Sequence, residues 1–113
     1  MPKPTAPPDN LPLTDEQKNY LLLLAYVYLK NNQLEKATTV YKALWYLYPE
    51  SESITLCLSY LYLSTQQFET ALFYADSYLE KKDSALAFLL RGQALMMLGR
   101  NFEAKEAIKK FLT

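Results

Sequence analysis

A pattern of small and large side chains that recurs thirty-four residues further along the chain constrains this fold more than any other feature of the sequence. The first copy has Leu24, Ala25 and Tyr28, and the second has Leu58, Ser59 and Tyr62. Within each copy the spacings of three and four residues predict one face of a helix. A period of this length is typical of stacked helical hairpins, in which each copy is one supersecondary unit.

The first copy forms a complete helix–turn–helix pattern between Leu21 and Pro49. A polar break at Asn31–Gln33 separates two apolar stripes, which predicts a turn between two helices. Small residues at Ala25 and Ala37 would let these helices approach closely, while larger neighbours fill the space beside them. Pro49 ends the second helix because proline has no N–H and disfavours the α conformation of the residue before it.

A third copy begins near Ala85, one residue earlier than the period requires. Its matching residues, in order, are Phe88, Gly92, Leu95, Gly99, Ala104, Ile108 and Phe111. Two places depart from the pattern. Ala75 and Tyr78 stand where the first copy has Tyr41 and Leu44, which roughly keeps the total volume. Arg91 occupies the position of the earlier leucines, and we expect its stem to pack while its guanidinium extends outwards. Asn101–Phe102 leaves the register of the last turn open by one residue.

The pattern predicts six helices, at residues 15–31, 34–48, 52–65, 68–81, 85–98 and 101–112. Thr14 and Gln17 form a predicted capping box at the first of them. We expect residues 1–13 to be a proline-rich disordered tail. Residues 14–113 would form one domain of three repeats, at about 18–51, 52–84 and 85–113.

In order and spacing, these residues resemble the tetratricopeptide repeat (TPR) signature, W-x2-L-G-x2-Y…A-x3-F-x2-A…P. In the first copy Leu21 replaces the tryptophan, Ala25 the glycine, Tyr41 the phenylalanine and Leu44 the last small residue. The resemblance implies an all-α fold of three tandem TPR helix–turn–helix repeats. These would form a short right-handed solenoid with a concave groove.

Composition points away from several classes of function. Twelve basic and twelve acidic residues cancel, so the chain lacks the excess positive charge that is typical of proteins that bind nucleic acid or anionic lipid. With no histidine, one cysteine (Cys57) and two isolated glycines, we expect no enzyme, no catalytic residues, no metal site and no cofactor. The longest apolar run, Tyr20–Leu29, is too short to span a bilayer. We therefore expect a cytoplasmic protein.

The TPR resemblance implies which residues line the groove, namely those at the second, fifth, ninth and twelfth positions of each first helix. On this sequence, Asn19 and Ser53 occupy two of these positions. The others form the predicted partner-binding set: Leu22, Tyr26, Leu29, Leu56, Tyr60, Leu63, Leu86, Leu89, Gln93 and Met96. The outward positions of the second helices are mostly charged or polar, with Asp76 among them. TPR domains that clamp a C-terminal carboxylate have Lys, Asn and Arg in the groove, whereas an apolar groove predicts an apolar partner segment.

The small size of the chain and its apolar groove resemble the TPR chaperones of bacterial type III secretion systems. The segment from Leu13 to Leu24 looks most like the YscY (SctY) class, which implies a small secreted partner of the YscX type. A needle-subunit co-chaperone of the YscG class is the second interpretation. A general TPR interaction adaptor and a homodimer that buries the groove against itself are further alternatives. In each case we expect the partner to be a protein. We expect no binding of nucleic acid and no insertion into a membrane.

Overall fold

The computed structural model describes residues 13–113, all in helices or the short segments between them. The predicted tail therefore lies, apart from Leu13, outside the described residues. The six helices of this range begin at the predicted residues and end at most two residues early. They are α1 (Asp15–Lys30), α2 (Leu34–Leu47), α3 (Glu52–Ser64), α4 (Phe68–Leu79), α5 (Ala85–Met97) and α6 (Asn101–Leu112).

The first helix begins with the predicted capping box. The Thr14 hydroxyl accepts a hydrogen bond from the Gln17 N–H, and the Gln17 side chain accepts one from the Thr14 N–H, both at 3.1 Å. Ser51 and Ser84 accept similar bonds at the starts of α3 and α5. The first helix of every pair thus starts at a hydroxyl side chain that satisfies a free backbone N–H.

Two units of packed helices make up the fold, one ending at Tyr48 and the other comprising Pro49–Thr113. In the first unit, α1 packs against α2. In the second unit, α3 packs against α4, α4 against α5, and α5 against α6. The prediction of an all-α fold of sequential helix pairs is confirmed. The prediction of one three-repeat domain stays a prediction.

Small residues lie where paired helices approach most closely, as the sequence predicted. Ala25 and Ala37 are fully buried in the first unit. In the second unit, the hydroxyl of buried Ser59 donates a hydrogen bond to the carbonyl of Ala71 at 2.9 Å. This bond links α3 directly to the backbone of α4. A Cβ added at Gly92 would lie 2.8 Å from Cγ1 of Ile108 on α6. The equivalent small position is therefore in close contact with the partner helix in both pairs of this unit.

Stacked aromatic rings fill the interior beside this contact. Tyr62 on α3 and Tyr74 on α4 are buried and parallel, with ring centroids 5.6 Å apart. Burial, and to a lesser degree Tyr62, raises the pKa of Tyr74 above its ordinary value.

The same turn joins the two helices of each pair. Asn32, Gln66 and Gly99 have left-handed backbones, with φ of 60°, 66° and 78°. In each turn the following N–H bonds a carbonyl five residues back, as in Gln67 to Tyr62 at 2.8 Å and Arg100 to Leu95 at 2.9 Å. This is the Schellman arrangement that ends many helices. After the third turn, α6 begins at Asn101, which settles the register that the sequence left open.

Replacing Gln66 by glycine should raise the free energy of unfolding by about 0.5–1 kcal/mol, because glycine adopts a positive φ without strain. The opposite change, Gly99→Ala, should lower it by a similar amount. No atom lies within 4 Å of a Cβ at Gly99, so the backbone conformation alone would cause that loss. Urea unfolding of both variants measures the effect. A Gly99→Ala variant as stable as the parent would contradict this account of the turn.

Arg91 makes a contact that the sequence did not predict. Its Nε donates to Oδ1 of Asp76 at 2.6 Å, which joins α5 to α4. The Arg91 side chain is only 27% exposed. The Asp76 side chain is 45% exposed, so the ion pair is accessible to solvent, and the sequence did not predict that these two residues pair. Arg91 stands at the repeat position of Leu24 and Leu58, and the carboxylate of Asp76 compensates for its partial burial.

Candidate functional site

The predicted partner-binding residues of the first unit lie on one side of α1. Tyr26 is 51% exposed, while Leu22 and Leu29 are partly exposed. Their neighbour Ala25 is fully buried and belongs to the packing face towards α2. The structure thus leaves these three side chains accessible on the first helix of the hairpin.

In the second unit, α3 and α5 present uncharged and mostly apolar side chains at the predicted positions. Tyr60, Leu86 and Met96 are each about half exposed, at 50%, 50% and 53%. Gln93 is exposed, and the remaining predicted residues, Leu56, Leu63 and Leu89, are partly exposed. None of these positions on α3 and α5 has a charged side chain. The surface can therefore contact an apolar segment without burying a charge.

One cleft of about 480 Å³ lies where α3 ends, α4 begins and α5 ends. It brings together three predicted residues, Leu63, Gln93 and Met96. The other predicted residues of this unit do not line it. Four of its lining residues were not predicted: Ser64, Gln66, Phe68 and Met97.

The lining suits a ligand that is mainly apolar but has backbone polar groups. Two methionines and a leucine supply adaptable apolar surface, since the unbranched methionine side chain fits irregular shapes. The amides of Gln66 and Gln93 can each donate and accept a hydrogen bond. An extended peptide segment offers free backbone N–H and C=O groups to these amides.

The position of Gln66 explains why the cleft was partly missed. Gln66 has a left-handed backbone in the turn between α3 and α4, and Phe68 follows as the first residue of α4. A count of positions along first helices does not include turn residues. The repeated polar break at Thr65–Gln67 was the available signal, since the equivalent breaks mark where each pair of helices turns.

A second cleft, of about 410 Å³, lies at the start of α1 and was not predicted. It is lined by Leu13, Glu16, Gln17, Tyr20 and Leu21. Here one charged residue stands beside an apolar surface, unlike the cleft of the second unit.

No protein-family model matches the chain, and no curated protein is similar to it in sequence. Between Leu13 and Thr113, no group of three or more acidic or cysteine side chains lies close enough to hold a metal ion. No helix in the same range has the length and apolar character required to cross a membrane.

Proposed function

We propose that this chain is a TPR protein whose first helices bind an apolar segment of a protein partner. Two features support the repeat. The small residues Ala25, Ser59 and Gly92 occupy equivalent buried positions. The turns at Asn32, Gln66 and Gly99 share one backbone geometry at intervals of 34 and 33 residues. A shared turn and a shared close contact are what stacked copies of one hairpin require.

The observation that carries the binding function is the uncharged, half-exposed apolar surface of α3 and α5. Surfaces of this kind on a protein in water mark interaction sites. Tyr60 offers a rigid aromatic side chain with a hydroxyl for the backbone of a partner. Leu63 and Met96, in the cleft beside Gln93, would accept apolar side chains. An amphipathic helix that presents apolar residues at i, i+3 or i+4 and i+7 matches this arrangement.

Burying such side chains contributes roughly 25 cal/mol per Å² of apolar surface, so a few of them supply several kcal/mol. Part of this offsets the ordering of a flexible partner segment. A moderate net affinity of this kind suits a chaperone role, in which the segment is protected from aggregation and released later.

The role we favour is a cytoplasmic chaperone of a bacterial type III secretion system, of the YscY class, which holds a small YscX-like secreted partner until export. The support is the likeness of the Leu13–Leu24 segment and of the apolar first-helix surface to that class. A co-chaperone of the YscG class is the second candidate, because it has a similar size and TPR build. Its partner would be a needle subunit.

The test is capture of the tagged full chain from a bacterium that encodes it, followed by mass spectrometry of the bound protein. A small exported type III component supports the YscY-class role, and a needle subunit supports the YscG-class role. Recovery of a protein unrelated to secretion would overturn both and leave a general adaptor.

Binding should also raise the thermal midpoint of the chain. At a free partner concentration one hundred times Kd, the native state gains about 2.7 kcal/mol by mass action. Differential scanning calorimetry with and without the captured partner measures the shift. Equal midpoints at saturation would contradict specific binding to the folded chain.

A further inference from the structure

A second line of exposed apolar side chains runs along α1 beside the predicted groove residues. Tyr20, Leu23 and Val27 are 65%, 60% and 42% exposed. Their spacings of three and four residues place them along one line of the helix. We call this line the α1 stripe, and its residues are not part of the binding surface proposed above.

The equivalent line on α5 shows what kind of structure covers such a stripe. Counting by the repeat, Ala87, Leu90 and Ala94 occupy the same positions on α5. All three are buried, and α5 packs against α4 and α3. This line of a first helix is therefore suited to contact with another helix. On α1 it has larger side chains and is open.

The charges at the two ends of the α1 stripe indicate which helix fits. Continuing the same spacing adds Glu16 before Tyr20 and Lys30 after Val27. The resulting line, 16–20–23–27–30, follows the heptad seam of a two-stranded coiled coil. Glu16 and Lys30 are exposed, and neither forms an ion pair with another described residue.

The line is nearly symmetric about Leu23, because Glu16 and Lys30 each lie seven residues from it. If two copies of α1 pack antiparallel, Leu23 of one lies opposite Leu23 of the other. Tyr20 then lies near Val27 of the second copy, and Glu16 lies opposite Lys30 at both ends. Antiparallel pairing thus places opposite charges together twice, whereas parallel pairing would place like charges together.

We propose that the α1 stripe is a homodimer interface, in which α1 of two copies pack antiparallel around a two-fold axis at Leu23. The contact is isologous, as in most dimers, so each copy supplies the same residues. Three apolar side chains per copy cover less than the roughly 800 Å² per partner of a standard interface. The dimer should therefore be weak and exchange rapidly with monomer.

The test measures self-association of the full chain by sedimentation equilibrium over a wide concentration range. The parent should show a reversible monomer–dimer equilibrium. Glu16→Lys alone faces Lys30 of the second copy, and Lys30→Glu alone faces Glu16. Each single variant should dimerise at least about tenfold more weakly, which corresponds to about 1.4 kcal/mol. Leu23→Asp should weaken the dimer further by placing two carboxylates at the axis.

An equimolar mixture of the two single variants separates pairing from helix stability. Both changes oppose the dipole of α1, so both slightly destabilise the helix itself. In the mixture, however, the lysine introduced at position 16 of one variant lies opposite the glutamate introduced at position 30 of the other. At the second end, the unchanged Lys30 of the first variant lies opposite the unchanged Glu16 of the second. Heterodimers should therefore form with nearly the affinity of the parent, and high salt should reduce the difference between the variants and the parent.

Three results would overturn the proposal. The first is a parent that stays monomeric at all concentrations. The second is a mixture of the single variants that associates no better than either alone. The third is a dimer that dissociates with Tyr26→Glu or Tyr60→Glu but not with Leu23→Asp, which would place self-association on the predicted groove residues. Tyr46→Glu on α2, where the side chain is 82% exposed, is the matched control and should leave the parental equilibrium unchanged.

Discussion

Replacing Ala71 by leucine should lower the free energy of unfolding by about 1–3 kcal/mol, because the added atoms have no room between α3 and α4. Ala71 is 1% exposed, and its carbonyl accepts the hydroxyl of Ser59 at 2.9 Å. A leucine there must displace α3 or take a strained side-chain conformation, and either change weakens this bond. Denaturant unfolding of the full chain, followed by helical circular dichroism, gives the difference.

Ala43→Leu is the matched control, since Ala43 is exposed in the middle of α2. Alanine and leucine have similar helix propensities, so the control should change the unfolding free energy by only a few tenths of a kcal/mol. If Ala71→Leu were as stable as Ala43→Leu, the position would tolerate a large side chain. The close contact of α3 and α4 would then not depend on residue size.

The elements that could be predicted from the sequence are those determined by local spacing. The start of every helix follows from a capping residue or from the repeated turn, as Thr14 and Gly99 illustrate. The contact between Ser59 and Ala71 follows from the repeat, because both residues are small where the neighbouring positions are large. These features depend on nearby residues and on a period, which a single sequence contains in full.

Contacts between elements that belong to different pairs could not be predicted in the same way. Arg91 and Asp76 form an ion pair between α5 and α4, although each was assigned to the outside from its position within its own helix. Phe68 and Met97 line the cleft of the second unit because α4 begins close to the end of α5. Such proximity depends on how successive helices pack, and periodicity within one helix does not determine it.

Tyr60→Glu and Leu63→Asp should each abolish capture of the partner while leaving the helical circular dichroism spectrum nearly unchanged. Both residues lie on α3, and Tyr60 is half exposed, so the free protein tolerates a charge at this place. In the complex, the same charge would be buried against an apolar segment, with no opposite charge to pair with it. That cost is several kcal/mol, and each 1.4 kcal/mol weakens binding about tenfold.

Tyr46→Glu distinguishes loss of the predicted binding surface from a general effect of added charge. It makes the same substitution on the second helix of a pair, at a side chain that is 82% exposed. This variant should capture the partner as well as the parent does. Conversely, release of the partner by Tyr46→Glu, with capture unchanged in Tyr60→Glu and Leu63→Asp, would place the partner on the second helices. The apolar surface of α3 and α5 would then have no part in binding. A carboxylate introduced into a buried interface must weaken binding, so unchanged capture means that the residue lies outside the interface.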